Sequence, residues 1–132
     1  YKILVDKTGS SHRVLVVEDD PALLNAIKDV LTDDGYIVTV ARDGEEGLNI
    51  ALSLKPDLIL LDIVMPEMGG FELLEKIKKD EKLKRIPVII ISNSGQPVEL
   101  DRAKELGVKD WLIKAEFSPQ EVLEKVIKQI GR

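Results

Sequence analysis

Pro56-Asp57-Leu58-Ile59-Leu60-Leu61-Asp62-Ile63-Val64-Met65-Pro66 decides the fold, because four consecutive apolar residues at 58–61 lead directly onto one acid, Asp62. A short apolar run bounded by Pro and acids reads as a strand buried on both faces, as a parallel sheet requires, and helical patterns flank this run on either side. Ligands of such sheets collect at the carboxyl ends of the strands, which is the position of Asp62. A lone Asp after a strand is more often a turn cap. That reading gives way here because three other strands also end on residues that carry chemistry: Asp19, Ser92 and Lys114.

Working outward, Arg13-Val14-Leu15-Val16-Val17 is a β-branched run that stops at Glu18-Asp19-Asp20, with Pro21 at the first helical position it favours. Leu23, Leu24, Ile27, Val30 and Leu31 recur at helical spacing until Gly35, and Tyr36-Ile37-Val38-Thr39-Val40 is a second strand. Asp43-Gly44 opens a helix whose apolar side uses Leu48, Ala51, Leu52 and Leu54, and the strand that ends on Asp62 follows. Beyond the loop through Met65-Pro66-Glu67-Met68-Gly69-Gly70, a helix carries Phe71, Leu74 and Ile77 on one side before the charged segment 78–85. Pro87 introduces the strand Val88-Ile89-Ile90-Ile91, which ends on Ser92. Pro97 starts a helix with Val98, Ala103 and Leu106 facing inward and Gly107 closing it, and Trp111-Leu112-Ile113 is a last strand ending on Lys114. Ser118-Pro119-Gln120-Glu121 has the cap, first-turn Pro and acid of a helix start, followed by Val122, Leu123, Val126, Ile127 and Ile130.

Five strands alternating with five helices predict an α/β fold: one doubly wound parallel sheet with right-handed crossovers and helices on both faces. The common strand order for this count is 2-1-3-4-5, the flavodoxin-like arrangement. In that order Asp19, Asp62, Ser92 and Lys114 end strands 1, 3, 4 and 5 at one edge. They converge on the crevice between strands 1 and 3, where the winding reverses.

Composition bounds what such a site can serve. The 132 residues are 44% hydrophobic and 33% charged, which describes one globular domain with a charged surface and excludes disorder. A net charge of −5, with no basic patch, argues against nucleic acid as a direct partner. Cysteine is absent, so disulfides and thiolate metal sites are excluded, which fits a reducing, cytoplasmic setting. Apolar runs such as Val88-Ile89-Ile90-Ile91 fall far short of the roughly 20 residues that span a bilayer, so no membrane anchor is expected. Residues 1–12 read as an N-terminal extension, or as a remnant of an upstream or added segment; Lys2-Ile3-Leu4-Val5-Asp6 looks like a short strand ahead of a polar stretch. His12, the single histidine, is then a solvated tail residue rather than a catalytic base. Residues 13–132 are the domain, and no second domain is expected after it.

Glu18, Asp19 and Asp62 form an oxygen-only cluster that suits Mg²⁺ or Mn²⁺ and disfavours Zn²⁺. A lysine and a hydroxyl opposite such a metal make sense as donors to an anion that the metal also touches. Carboxylate nucleophile, metal, cation and hydroxyl are the parts of phosphoryl transfer to aspartate. Each part alone has a plainer reading: Asp20 a helix cap, Ser92 a loop residue, Lys114 a solvated charge. Four coincidences at four strand ends outweigh them.

At these residues the sequence resembles the receiver domain of two-component response regulators, and the resemblance runs from Arg13 to about Gly131. It rests on Glu18-Asp19-Asp20, on Leu61-Asp62 followed by Met65-Pro66 and Gly70, on Ile91-Ser92, and on Trp111 three residues before Lys114. The resemblance implies a signalling phosphoacceptor rather than a substrate-converting enzyme, with Asp62 receiving phosphate from a histidine kinase or histidine phosphotransfer protein. It further implies Mg²⁺, with Mn²⁺ as the alternative ion, held by Asp19, Asp62 and the Val64 backbone carbonyl, with Glu18 acting through water. Ser92 and Lys114 would hold the phosphoryl oxygens, and Ser92 and Trp111 would be the switch residues. A downstream protein would bind the helix 97–107, the last strand and the helix 118–131.

Three departures from the family pattern stand out. Ala115 follows Lys114 where the family usually has Pro with a cis bond, and a non-proline cis bond costs about 2.5–4 kcal/mol, so a trans bond is expected. Gly69 stands where the family often has Asp, and Asn93 replaces the usual small residue, narrowing access to the phosphoryl group. A flavodoxin-like cofactor binder needs a Gly/Ser/Thr-rich phosphate loop after the first strand, where acids stand here. A haloacid-dehalogenase-type phosphatase expects a second acid two residues after its nucleophile, where Val64 stands. The remaining alternative is a receiver-like interaction module that signals without phosphorylation, and the presence of every phosphorylation residue argues against it.

Overall fold

The computed structural model describes residues 12–63, 69–92, 97–108, 110–114 and 118–131, with the backbone alone for 97–100. Strands β1 (Arg13–Val17), β2 (Ile37–Ala41), β3 (Leu58–Asp62), β4 (Val88–Ser92) and β5 (Asp110–Ile113) alternate with helices α1 (Pro21–Asp33), α2 (Gly44–Leu54), α3 (Gly70–Lys79), α4 (Pro97–Glu105) and α5 (Pro119–Ile130). All four pairings are parallel, and the order across the sheet is β2-β1-β3-β4-β5, the expected winding. Strand period sorts the core into two layers. Leu15, Val17, Ile59, Leu61 and Ile90 face α2, α3 and α4, whereas Val14, Val16, Leu58, Leu60, Ile89 and Ile91 face α1 and α5. The central strands β3 and β4 are buried along their whole length, so no position on them is free to be polar unless it has a partner or a function.

Three local readings change. The helix α2 does not bury Leu52 and Leu54, which are 41% and 39% exposed; its inward positions are Gly44, Gly47 and Ala51. A Cβ on Gly47 would lie 2.9 Å from Val17 Cγ2, so α2 seats its small residues on the sheet, keeps Leu48 partly buried against the core and turns Leu52 and Leu54 outward. Leu52→Gln is therefore expected to change stability by less than about 0.5 kcal/mol, whereas Leu31→Ala, at a fully buried site, should cost about 2–5 kcal/mol in denaturant melts. The charged segment after α3 turns on Asp80, whose Oδ1 accepts from the Lys82 and Leu83 amides at 2.8 and 3.2 Å, and this buries Leu83. His12 is tied to the domain rather than solvated in a tail: its carbonyl accepts from the Ile37 amide at 2.9 Å, and its Nδ1 lies 3.7 Å from Asp57. The strand read at residues 2–6 lies outside the described residues. Elsewhere β2 is shifted by one residue and β5 begins at Asp110, both small differences in where pairing starts.

Candidate functional site

The carboxyl ends of β1, β3, β4 and β5 meet at one edge of the sheet. The Glu18 amide extends the β1–β2 ladder by one bond, donating to the Ala41 carbonyl at 3.0 Å, and the Glu18 side chain is fully buried. Asp19 is exposed beside it. Asp20 caps α1, accepting from the Ala22 amide at 3.0 Å and from the Leu23 amide at 3.5 Å, while its own amide donates to Glu18 Oε2 at 3.0 Å. Asp62 ends β3 with no exposed surface. It pairs in register with Ile91, so Ser92, also fully buried, stands one residue further along the neighbouring strand.

Lys114 joins these groups. Its amide donates to the Ser92 carbonyl at 2.7 Å, and its Nζ donates to Asp62 Oδ2 at 3.0 Å and to Glu18 Oε2 at 3.3 Å. Partial burial alone would lower the Lys114 ammonium, but the hydrogen bond and charge of Asp62, and then those of Glu18, hold it above its ordinary value. Burial pushes the Glu18 carboxyl up to about 8; the Asp20 amide pulls it down, Asp62 pushes it further up, and Lys114 pulls it back. Two buried acids thus share one cation, and Glu18 Oε1 is a buried acceptor with no hydrogen-bond partner.

This arrangement fits a hard divalent cation. Glu18, Asp19 and Asp62 each offer a carboxylate oxygen, and the three oxygens lie within 4.8 Å of one another. Mg²⁺ is expected to raise thermal stability even without phosphate, by about 2.7 kcal/mol at a hundred times its dissociation constant, because it relieves repulsion that Lys114 alone only partly offsets. Asp62→Asn should raise the metal-free melting temperature and blunt the Mg²⁺ response. A parent protein whose melting ignores Mg²⁺ would remove the metal site from consideration.

The structure therefore brings Glu18, Asp19, Asp62 and Lys114 to one point, with Ser92 on the adjacent strand end. Val64 and the Lys114–Ala115 bond lie outside the described residues. Trp111 pairs in register with Ile90, is partly exposed, and packs on the layer that α2, α3 and α4 cover. What the residue pattern missed is the support beneath Asp62. A Cβ on Gly70 would stand 2.2 Å from Ile63 Cα and 2.5 Å from the Asp62 carbonyl oxygen, so the first turn of α3 rests directly on the end of β3. Two adjacent glycines at a helix start were the available signal.

A model of the response regulator receiver domain matches residues 14–127, and the chain belongs to that family. The probable transcriptional regulator ycf29 of Pyropia yezoensis is 38% identical over 122 residues, which are 92% of this chain and 54% of that protein. The chain spans about half the length of the curated relatives it first matches. Among solved structures, chemotaxis response regulator CheY4 of Vibrio cholerae superposes with a TM-score of 0.83 at 30% identity, covering 89% of this chain and 98% of that one. The receiver domain of sensor histidine kinase PA1611 from Pseudomonas aeruginosa superposes with a TM-score of 0.82 at 27% identity, covering 92% of this chain and 99% of that one; that structure holds a magnesium ion coordinated in its active site cleft.

Proposed function

We propose that residues 13–132 act as a phosphoacceptor switch in which Asp62 takes a phosphoryl group from a phosphohistidine on a histidine kinase or histidine phosphotransfer protein. The observation that carries this reading is the fully buried Asp62 carboxylate, 3.0 Å from the Lys114 ammonium and inside a cluster of oxygen donors. A buried carboxylate at a strand end has little structural use, whereas a nucleophile gains from a fixed, partly desolvated position beside a cation.

In the transfer, an Asp62 oxygen forms a bond to phosphorus as the donor's P–N bond breaks, and the electron pair leaves on the imidazole nitrogen, which takes up a proton. Lys114 neutralises charge on the phosphoryl oxygens, and the Ser92 hydroxyl donates a hydrogen bond to one of them. Asp19 and Asp62 would hold Mg²⁺, or Mn²⁺, with Glu18 in support through water and the Val64 carbonyl as a further ligand; the ion supplies charge neutralisation on the transferring group. Water then attacks the phosphorus, the Asp62 O–P bond breaks, and inorganic phosphate leaves with Asp62 returned to its free carboxylate. The phosphoryl group adds roughly −1.5 to −2 charges at this edge, which draws Ser92 and Lys114 toward it and repositions Trp111 and the 97–131 surface for a downstream protein. The net charge of −5 supports a protein rather than a nucleic acid as the direct partner of this domain. The absence of cysteine fits our placement of the domain in the cytoplasm, with residues 1–12 outside the switching unit. No described helix is long and apolar enough to cross a membrane.

The test is intact mass after incubation with acetyl phosphate and Mg²⁺. One added phosphoryl group, labile to hydroxylamine as an acyl phosphate is, is the expected result. An unchanged mass, with Mg²⁺ binding demonstrated, would favour the phosphorylation-independent interaction module.

A further inference from the structure

Among the described side chains of α4, Ala103 alone is buried; Asp101, Arg102, Lys104 and Glu105 are exposed. Two cations on the outer side of this helix reach back to the body of the domain. The Arg102 guanidinium lies 4.5 Å from the centroid of the Phe71 ring, and its Nη2 donates to Glu75 Oε1 at 3.0 Å, both residues being on α3. The Lys104 ammonium lies 5.1 Å from the centroid of the Trp111 ring on β5. Phe71 follows Gly70, the residue that rests on Asp62 and Ile63, and Trp111 lies three residues before Lys114. Each cation therefore grips a ring that belongs to an element abutting the acid site.

We propose that Arg102 and Lys104 form a two-point latch that holds α4 in its resting position, and that Lys104 in particular holds Trp111 against α4 until the acid site is modified. The proposal rests on the phosphoacceptor reading and names the regulation built around it. Tryptophan is the strongest ring partner for a cation, and an exposed cation–ring contact shifts an equilibrium about two- to fivefold. Trp111 is only partly buried, so its ring is not fixed by core packing alone. By linkage, a contact present only in the resting state lowers the apparent affinity for any phosphoryl mimic by the same factor by which it favours that state. The latch thus sets the threshold of the switch without touching the reacting atoms.

Trp111 is the single tryptophan, so its fluorescence reports one site. In the full chain with Mg²⁺, beryllium fluoride is titrated while Trp111 emission and acrylamide quenching are read, and bound fluoride is counted independently by fluorine NMR. K104Q is expected to raise resting quenching of Trp111 and to lower the beryllium fluoride midpoint two- to fivefold. K104R, which keeps a ring-stacking cation, should restore both. R102Q should lower the midpoint with a smaller change in resting quenching, since its ring partner is Phe71. Parent values of both readouts in K104Q would overturn the latch. So would a K104Q effect that K104R fails to reverse, because that effect would then be structural. Failure of the underlying reading has a different signature: no beryllium fluoride bound by the parent in the presence of Mg²⁺. In that case resting quenching alone decides the latch, for it or against it.

Discussion

Asp62→Ala is expected to take up no phosphoryl group from acetyl phosphate or from a phosphorylated histidine donor, while folding to the parental circular dichroism spectrum. On the proposed reading the loss is complete rather than graded, because there the Asp62 carboxylate is the group that forms the bond to phosphorus, and among the described residues no other carboxylate stands in its place. Glu18 is the nearest candidate substitute, but its side chain is fully buried and its Oε2 already accepts from the Asp20 amide and the Lys114 ammonium, which makes it a poor nucleophile. Asp19 is exposed, beyond the grip of Lys114. Lys114→Ala should show a different pattern. It leaves the nucleophile in place but removes the cation that lies 3.0 Å from it, and deleting one preorganised electrostatic partner typically costs about 10²–10³ in rate. Phosphorylation of Asp62→Ala at the parental rate, mapped by peptide mass, would move the nucleophile elsewhere and with it the whole reading of the site.

The order of strands and the identity of the acids were legible because both depend on short-range pattern. Apolar runs that stop abruptly at Glu18, Asp62, Ser92 and Lys114 define strand ends, and parallel winding then leaves one edge where those ends can meet. The facing of α2 was legible only in part: Ala51 is buried and Leu48 packs on the core as the spacing indicates, but Leu52 and Leu54 do not. Periodicity weighs large apolar residues, so Leu52 and Leu54 drew the helix face toward themselves, whereas the sheet selects for close approach and receives Gly47 and Ala51. Leu83 was hidden in the same way among the charges of the segment after α3, since a turn built on Asp80, not a helix or strand period, carries it inward. The contact between Lys114 and Glu18 joins residues 96 positions apart and has no local signature. Sequence placed both at one edge of the sheet; only coordinates say that one ammonium serves two buried acids.

Gly69 and Gly70 are neighbours of identical chemistry, yet replacing them is expected to change stability with opposite signs. Gly70→Ala puts a methyl where Ile63 Cα would be 2.2 Å away and the Asp62 carbonyl oxygen 2.5 Å away. Both obstacles are backbone, so neither can swing aside as the end of a side chain would, and α3 must lift off β3. Overpacking of this kind costs about 1–3 kcal/mol or more, which exceeds the roughly 0.5–1 kcal/mol that alanine returns over glycine within a helix. Gly69 has open space around its Cα and sits at the N-cap of α3 with φ −67° and ψ 161°, a conformation any residue adopts. Gly69→Asp supplies the side-chain cap that α3 lacks and a charge favourable to the helix N-terminus, a gain of a few tenths of a kcal/mol. The Gly70 variant should also phosphorylate slowly, because the carbonyl it displaces belongs to the nucleophile's own residue, whereas Gly69→Asp should keep the parental rate. Melting temperature measured without Mg²⁺ separates the two cases, with a drop of about 4 °C or more expected for Gly70→Ala and a slight rise for Gly69→Asp. Equal melting of both variants with the parent would mean that α3 does not bear on the end of β3, and that Asp62 is positioned without it.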